Sequence, residues 1–247
     1  MSRKRTRTRR DDAHAARAPD VQDPAVRVVA ITAVYAALAL AFLEYFGRPE
    51  FFAHVFPSLI WPHFGLYPHL WWALWTSALF LLVPMIIVRF GFKHRLRDYG
   101  LNLALQRRDL WLYVGLFAAV VPLVLLASRR ADFQSIYPFY RGAFQASARE
   151  ILAWEAAYLT QFVALEFFFR GFLVLGSSRI VGRASIWLAM IPYAMLHYHK
   201  PAPEAFAAIV AGVVLGEVAY RTRSIAGGVI VHVGVAGTME LLALRII

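Results

Sequence analysis

The chain has 247 residues, of which 60% are hydrophobic and 17% are charged, with a formal net charge of +11 and no cysteine. A soluble domain cannot bury so large an apolar fraction, and the composition therefore predicts a membrane protein. The lack of cysteine excludes disulfides, thiolate metal sites and a cysteine nucleophile. The positive charge does not indicate a nucleic-acid partner, because the arginines form short runs between apolar segments, where they set membrane orientation.

The predicted helices are apolar runs that follow a polar N-terminal segment. Residues 1–25 are rich in arginine and predict a disordered cytoplasmic tail, ahead of a transmembrane domain at 26–247. The apolar runs cover about 28–46, 70–88, 111–127, 151–175, 186–198, 205–220 and 225–244. Since a full crossing needs about 20 residues, these runs predict an all-α polytopic transmembrane bundle of about seven helices.

Basic residues predict the orientation of this bundle. They concentrate in the tail and in three connections that share one side of a seven-helix path, at 89–108, 179–183 and 221–223. Because cytoplasmic loops carry the excess of lysine and arginine, this side and the N-terminus are predicted to face the cytoplasm. Arg129, Arg130 and Arg141 in a longer connection oppose this orientation.

The connection at 48–69 is rich in Phe, Trp, Tyr, His and Pro, which is typical of a segment at the membrane interface. Its histidines, His54, His63 and His69, lack the i, i+4 spacing of a ready metal-binding pair. We expect them to be interfacial and to lie outside the functional site.

Among the ionisable residues in apolar runs of the second half of the chain are Glu166, His197 and His232. Placing an ionisable group within the membrane costs free energy, so such a group is interpreted by default as functional. Glu166 and Arg170 have i, i+4 spacing, and a buried ion pair that only fixes helix packing is the alternative. Tyr193 precedes His197 at the same spacing. The carboxylate and the two imidazoles together could activate a water inside the membrane.

These motifs resemble those of the CAAX protease and bacteriocin-processing family of intramembrane proteases. The first motif contains Glu166 and Arg170, the second Tyr193 and His197, and the third runs from His232. The resemblance covers the motif-bearing core at about 150–247. It implies an endopeptidase of a bacterial plasma (inner) membrane that hydrolyses a membrane-embedded or membrane-anchored protein, such as a lipidated or sorting-signal peptide.

Two positions depart from the family pattern. Leu165 stands where the family usually has the first glutamate of a pair, and Ala236 stands where it usually has asparagine. Successive helix positions differ by about 100°, so Glu166 cannot simply take over the direction of its neighbour. Glu217 and Glu240 are further carboxylates that could enter the cavity.

The resemblance implies a role for each site residue. Glu166 and His197 position and deprotonate the water, and His232 donates to the oxyanion. Arg170 holds the helix that carries Glu166, and Tyr193 is a supporting residue of the site.

The sequence leaves open whether the site binds a metal ion and whether the protein has an alternative function. Glu166, His197 and His232 match the ligand types of a catalytic zinc site, but no His-Glu-x-x-His pair is present, so no cofactor is assigned and a divalent metal such as zinc stays open. The alternative function is a catalytically impaired relative that acts as a membrane binding, assembly or immunity factor.

Overall fold

The computed structural model describes residues 23–60, 62–102 and 107–245, and most of the predicted tail, 1–22, lies outside them. Within these ranges the chain forms helices, turns and irregular connections and no strand. The predicted all-α class is therefore confirmed.

Six of the apolar helices in the described ranges are long enough to cross a membrane, and α5 is shorter. The helices are α1 (Pro24–Gly47), α2 (Leu66–Gly91), α3 (Arg107–Ala127), α4 (Ala148–Val181), α5 (Ala184–Met195), α6 (Ala202–Thr222) and α7 (Ala226–Ala243). Short helices in the connections are Pro49–Val55, Pro57–Leu59, Pro62–Gly65, Leu96–Tyr99, Ala131–Ile136 and Arg141–Phe144. The predicted polytopic bundle is confirmed, and the protein is an integral membrane protein.

Local sequence explains where the site-bearing helices begin and end. α4 starts at a capping box in which the Ser147 side chain accepts from the amide of Glu150 and the Glu150 side chain accepts from the amide of Ser147. α5 has 12 residues and contains Pro192. At a rise of 1.5 Å per residue it spans only about 18 Å, so His197, just beyond its end, lies within the depth of the bundle.

Helix α4 is the centre of the bundle. In its most apolar window 78% of the residues are buried, against 33% or less in the other five long helices of the described ranges. Its middle, Phe167–Leu175, is π-helical, and all nine residues of this segment are buried. π-Helical turns shift the helical register and occur frequently at functional sites. The segment lies directly after Glu166 and contains Arg170, so both side chains are held inside the protein.

Small residues allow α6 to pack closely on α5. A side chain added at Gly212 would meet Met190 and Tyr193, and one added at Gly216 would meet Ile186 at 2.9 Å. The small-residue face of α6 therefore serves packing within the chain, and it holds the helix that precedes His197.

The three basic connections meet at one end of the bundle. The amide of Ile225 donates to the carbonyl of Gly100 at 3.1 Å. The side chain of Asn102 donates to the carbonyl of Arg223 at 2.8 Å, and the guanidinium of Arg223 lies 3.4 Å from the hydroxyl of Ser178. These contacts join the connections after α2, α4 and α6.

Candidate active site in the bundle

A cavity of about 880 Å³ lies between the helices that carry the predicted site. Helices α2 and α4 each present one face to it, since the lining positions recur at spacings of three, four and seven residues. The α2 positions are His69, Trp72, Thr76 and Phe80, and the α4 positions are Tyr158, Gln161, Phe162 and Leu165. The volume is that of a typical small-molecule or peptide site.

Both predicted histidines line this cavity. His197 Nδ1 lies 3.0 Å from the carbonyl oxygen of Tyr193, to which it donates because a carbonyl can only accept. His232 packs on the ring of Phe162 with centroids 4.6 Å apart.

Glu166 is fully buried behind His232. Its Oε1 lies 2.9 Å from His232 Nδ1. A carboxylate oxygen accepts this hydrogen bond from Nδ1–H, and in the neutral form of His232 the unprotonated ring nitrogen is then Nε2. The other oxygen, Oε2, has no hydrogen-bond partner among the described residues and faces Gly228, where an added Cβ would lie 2.0 Å from it.

Leu165 lines the cavity where the family glutamate is expected, while Glu166 does not line it. The rotation of about 100° between successive helix positions explains the difference. The carboxylate therefore reaches the cavity only through the imidazole of His232. The sequence-based expectation paired Glu166 with His197, and the hydrogen bond in the structure joins it to His232 instead.

Arg170 balances the buried carboxylate. Its Nη1 lies 3.4 Å from Glu166 Oε1, and both side chains are at most 2% exposed. The contact lacks hydrogen-bond geometry, and none of the guanidinium nitrogens has a hydrogen-bond partner within the described ranges. The guanidinium carbon lies 4.1 Å from the centroid of the Tyr193 ring, a cation–π contact. The two predicted supporting residues thus contact each other.

The remaining candidate positions lie away from the cavity. Ala236 is buried, one turn beyond His232, in a cluster that includes Trp154 and Tyr158. Glu240 accepts from the amide of Phe139 at 3.3 Å. Glu217 pairs with Arg183 and Arg221. Neither glutamate contributes to the cavity wall.

His69 differs from the expectation for the interfacial histidines, because it lines the cavity. Its Nδ1 lies 2.8 Å from the carbonyl oxygen of Gly65. His63 instead contacts Glu150 at 2.5 Å, and neither His63 nor His54 lines the cavity. Sequence reasoning missed His69 because α2 begins at Leu66, which turns the last residues of the aromatic connection into the first turn of a helix.

Glu166, His197 and His232 do not form a three-residue metal-binding group within the described ranges. Glu166 Oε1 is used by His232 Nδ1, and His197 Nδ1 is used by a backbone carbonyl. No group of three or more His, Cys, Asp or Glu side chains in the part of the chain that the structure describes is arranged to hold a metal ion. Of the three candidate ligands, Glu166 and His232 bind each other, while His197 binds the backbone carbonyl of Tyr193.

Comparison with known proteins identifies the part of the chain that carries this site. The family model described as type II CAAX prenyl endopeptidase Rce1-like matches residues 139–238. This range contains Glu166, His197, His232 and both departures from the pattern, and the resemblance predicted from the motifs is confirmed for these residues. No curated protein and no solved structure matched the chain.

Proposed function

We propose that this protein, whose residues 139–238 are Rce1-like, is an intramembrane endopeptidase that hydrolyses a membrane-embedded or membrane-anchored protein. The family suggests CAAX-type intramembrane protease activity. The observation that carries the proposal is the 2.9 Å hydrogen bond between Glu166 Oε1 and His232 Nδ1, which aligns a histidine of the cavity wall with a buried carboxylate. A carboxylate–histidine pair of this kind fixes the tautomer of a general base.

In the proposed reaction His232 is the general base. Its Nε2 takes a proton from a water as the water oxygen forms a bond to the scissile carbonyl carbon. Glu166 holds Nδ1–H and stabilises the imidazolium that forms, and Arg170 balances the carboxylate. The imidazolium then returns the proton to the leaving nitrogen as the carbon–nitrogen bond breaks. His197, whose Nδ1–H is held by the carbonyl of Tyr193, accepts the second hydrogen of the water at Nε2 and positions the water.

This assignment exchanges the roles that the family resemblance implies for the two histidines. It also explains how the site works with Leu165 at the cavity wall, because the base is an imidazole and the carboxylate acts through it. Substrates of this class are membrane proteins or lipidated or sorting-signal peptides, and an apolar cavity within the bundle suits all of them.

The alternative is a catalytically impaired relative that binds a membrane partner. Two observations favour it: Leu165 provides an apolar side chain where a carboxylate is expected, and Ala236 is buried among aromatic side chains. A binding protein would use the same cavity for a partner segment and would not need the Glu166–His232 pair.

The deciding experiment compares N- and C-terminal peptides of the membrane proteome in cells that carry the native chain, Glu166→Gln or His197→Ala. Glu217→Gln is the matched control, because Glu217 is a glutamate of the same bundle that lies outside the cavity. Termini that appear with the native chain and the control and vanish in both site variants would support proteolysis. Identical termini in all four, with the cellular phenotype preserved, would refute it.

We also propose a bacterial plasma membrane location with the N-terminus in the cytoplasm. The meeting of three basic connections at one end of the bundle supports this orientation. Because the chain has no cysteine, single cysteines report the sides directly. A membrane-impermeant maleimide added to intact cells should label Arg129→Cys and leave Lys93→Cys unlabelled. The reverse pattern would contradict the orientation.

A further inference from the structure

Two side chains on the cavity wall carry hydrogen-bond donors that have no partner within the described ranges, Thr76 Oγ1 and Gln161 Nε2. Thr76 is 3% exposed and Gln161 is 2% exposed. Buried polar groups in native proteins are normally paired, and an unpaired group lowers the stability of the fold. A donor that stays unpaired at the wall of a cavity indicates that its partner arrives with a ligand.

The two donors lie on the wall of the cavity that His197 and His232 also line. Gln161 is one helical turn before Leu165 on the lining face of α4, and Thr76 is on the lining face of α2. Helices α2 and α4 pack against each other. The rings of Phe162, the residue after Gln161, and His232 are in contact, with centroids 4.6 Å apart. Gln161, Thr76 and His232 line one cavity, so a group that is bound next to His232 shares this cavity with both donors.

The two proposed catalytic histidines do not supply donors of this kind. His197 Nδ1 donates to the carbonyl of Tyr193, and His232 Nδ1 pairs with Glu166. In its neutral form each ring then presents Nε2 as an acceptor. A peptide carbonyl oxygen, which needs donors, finds none on these two rings before a proton has been transferred.

We propose that the Gln161 amide and the Thr76 hydroxyl bind the carbonyl oxygen of the scissile peptide bond. The inference rests on the proposed function for the identity of the bound group. As water attacks, the carbonyl π bond breaks and its electron pair moves to the oxygen, where Nε2–H of Gln161 and Oγ1–H of Thr76 stabilise the negative charge. The pair returns when the carbon–nitrogen bond breaks. Gln161 and Thr76 thus donate the hydrogen bonds to the oxyanion that Ala236, with its methyl side chain, cannot donate.

The first test measures turnover and stability together. Gln161→Met and Thr76→Val keep the side-chain shape and remove the donor. Removal of an oxyanion donor lowers the rate by about 10²- to 10³-fold, which we expect for Gln161→Met in the appearance of new termini. The unfolding temperature should be unchanged or higher, since an unpaired buried group is lost. A structural role would lower stability and leave the rate per folded molecule unchanged.

Thr32→Val is the matched control. Thr32 is fully buried, its hydroxyl also has no partner in the described ranges, and it does not line the cavity. We expect no change in turnover from this variant. Turnover that falls equally in Thr32→Val and Thr76→Val would overturn the proposal.

The second test measures binding without turnover, on purified full-length protein in detergent. The probe is N-acetyl-trileucine aldehyde, a peptide whose carbonyl accepts hydrogen bonds. The probe should raise the unfolding temperature of the native protein and of Thr32→Val, and this rise should be lost in Gln161→Met and Thr76→Val. An equal rise in all four proteins, or none in the native protein, would overturn the proposal. If the probe binds as expected but no new termini appear in cells, the carbonyl site stands and the proposed hydrolysis fails.

Discussion

Gly228 offers a way to disturb the proposed base without removing any of its functional groups. In the structure a Cβ at this position would lie 2.0 Å from Glu166 Oε2 and 2.8 Å from its carboxyl carbon. An ordinary contact needs at least 3.4 Å, so Gly228→Ala forces the carboxylate to move by about 1.4 Å or more. Glu166 is fully buried, and Gly228, His232 and Arg170 all lie close to its carboxylate.

The expected loss of activity follows from the hydrogen bond that this movement weakens. A hydrogen bond to a charged group contributes about 1.5–3 kcal/mol. At about 1.4 kcal/mol for each factor of ten, its loss in the transition state lowers the rate by about 10- to 150-fold. The assay is the rate at which substrate termini appear in membranes, divided by the amount of folded protein. Overpacking also costs about 1–3 kcal/mol of stability, so a control with equal strain is needed.

Gly227→Ala is that control, because a Cβ there would lie 2.1 Å from the ring of Tyr113 on α3, and its three nearest atoms all belong to that ring. We expect both variants to unfold at lower temperature and only Gly228→Ala to lose activity per folded molecule. Equal activity losses in the two variants, or full activity in Gly228→Ala, would refute the role of the Glu166–His232 pair.

Three further changes have expected outcomes. Tyr193→Leu removes the ring over Arg170 and should lower stability by about 2 kcal/mol in thermal unfolding, whereas Tyr193→Phe should retain most of it. Leu165→Glu places a carboxylate directly on the cavity wall. The proposed mechanism predicts that the rate at which termini appear changes by less than tenfold, because His232 already serves as base. Cleavage that terminal-peptide analysis detects only in this variant would instead identify the native chain as the impaired relative. Gly216→Leu places a large side chain against Ile186 and should separate α5 from α6, seen as a loss of folded protein in size-exclusion chromatography, while Gly115→Leu, where nothing lies within 4 Å of the added Cβ, should fold.

The helical bundle could be predicted from the sequence because its determinants are local. A bilayer requires apolar runs of a minimum length, and the seven runs correspond to α1 to α7. The predicted ends of the helices were less accurate than their number. α4 extends from 148 to 181 because of the capping box before it and the π-helical segment within it, and α5 ends at Met195, before His197.

The partners within the site could not be predicted because they depend on tertiary packing. The positions of Glu166, His197 and His232 in apolar runs indicate a shared site, and the structure brings both histidines to one cavity. Which histidine contacts Glu166 depends on Gly228, whose missing side chain makes room for the carboxylate beside α7. No sequence signal marks Gln161, which is a single polar residue in an apolar helix.

The burial of Glu166 and Arg170 bears on the choice between a rearranged site and a decayed one. A buried ion pair contributes little net stability, and well-packed apolar residues of similar volume are often neutral or more stable in its place. Here the pair is less favourable than usual, since Glu166 Oε2 and the guanidinium nitrogens have no hydrogen-bond partner within the described ranges. A chain that used only the scaffold would gain stability by replacing both residues, in the way that Leu165 and Ala236 already occupy their positions with apolar side chains. The charged pair is therefore explained better by the imidazole that it holds at the cavity wall than by the packing of α4.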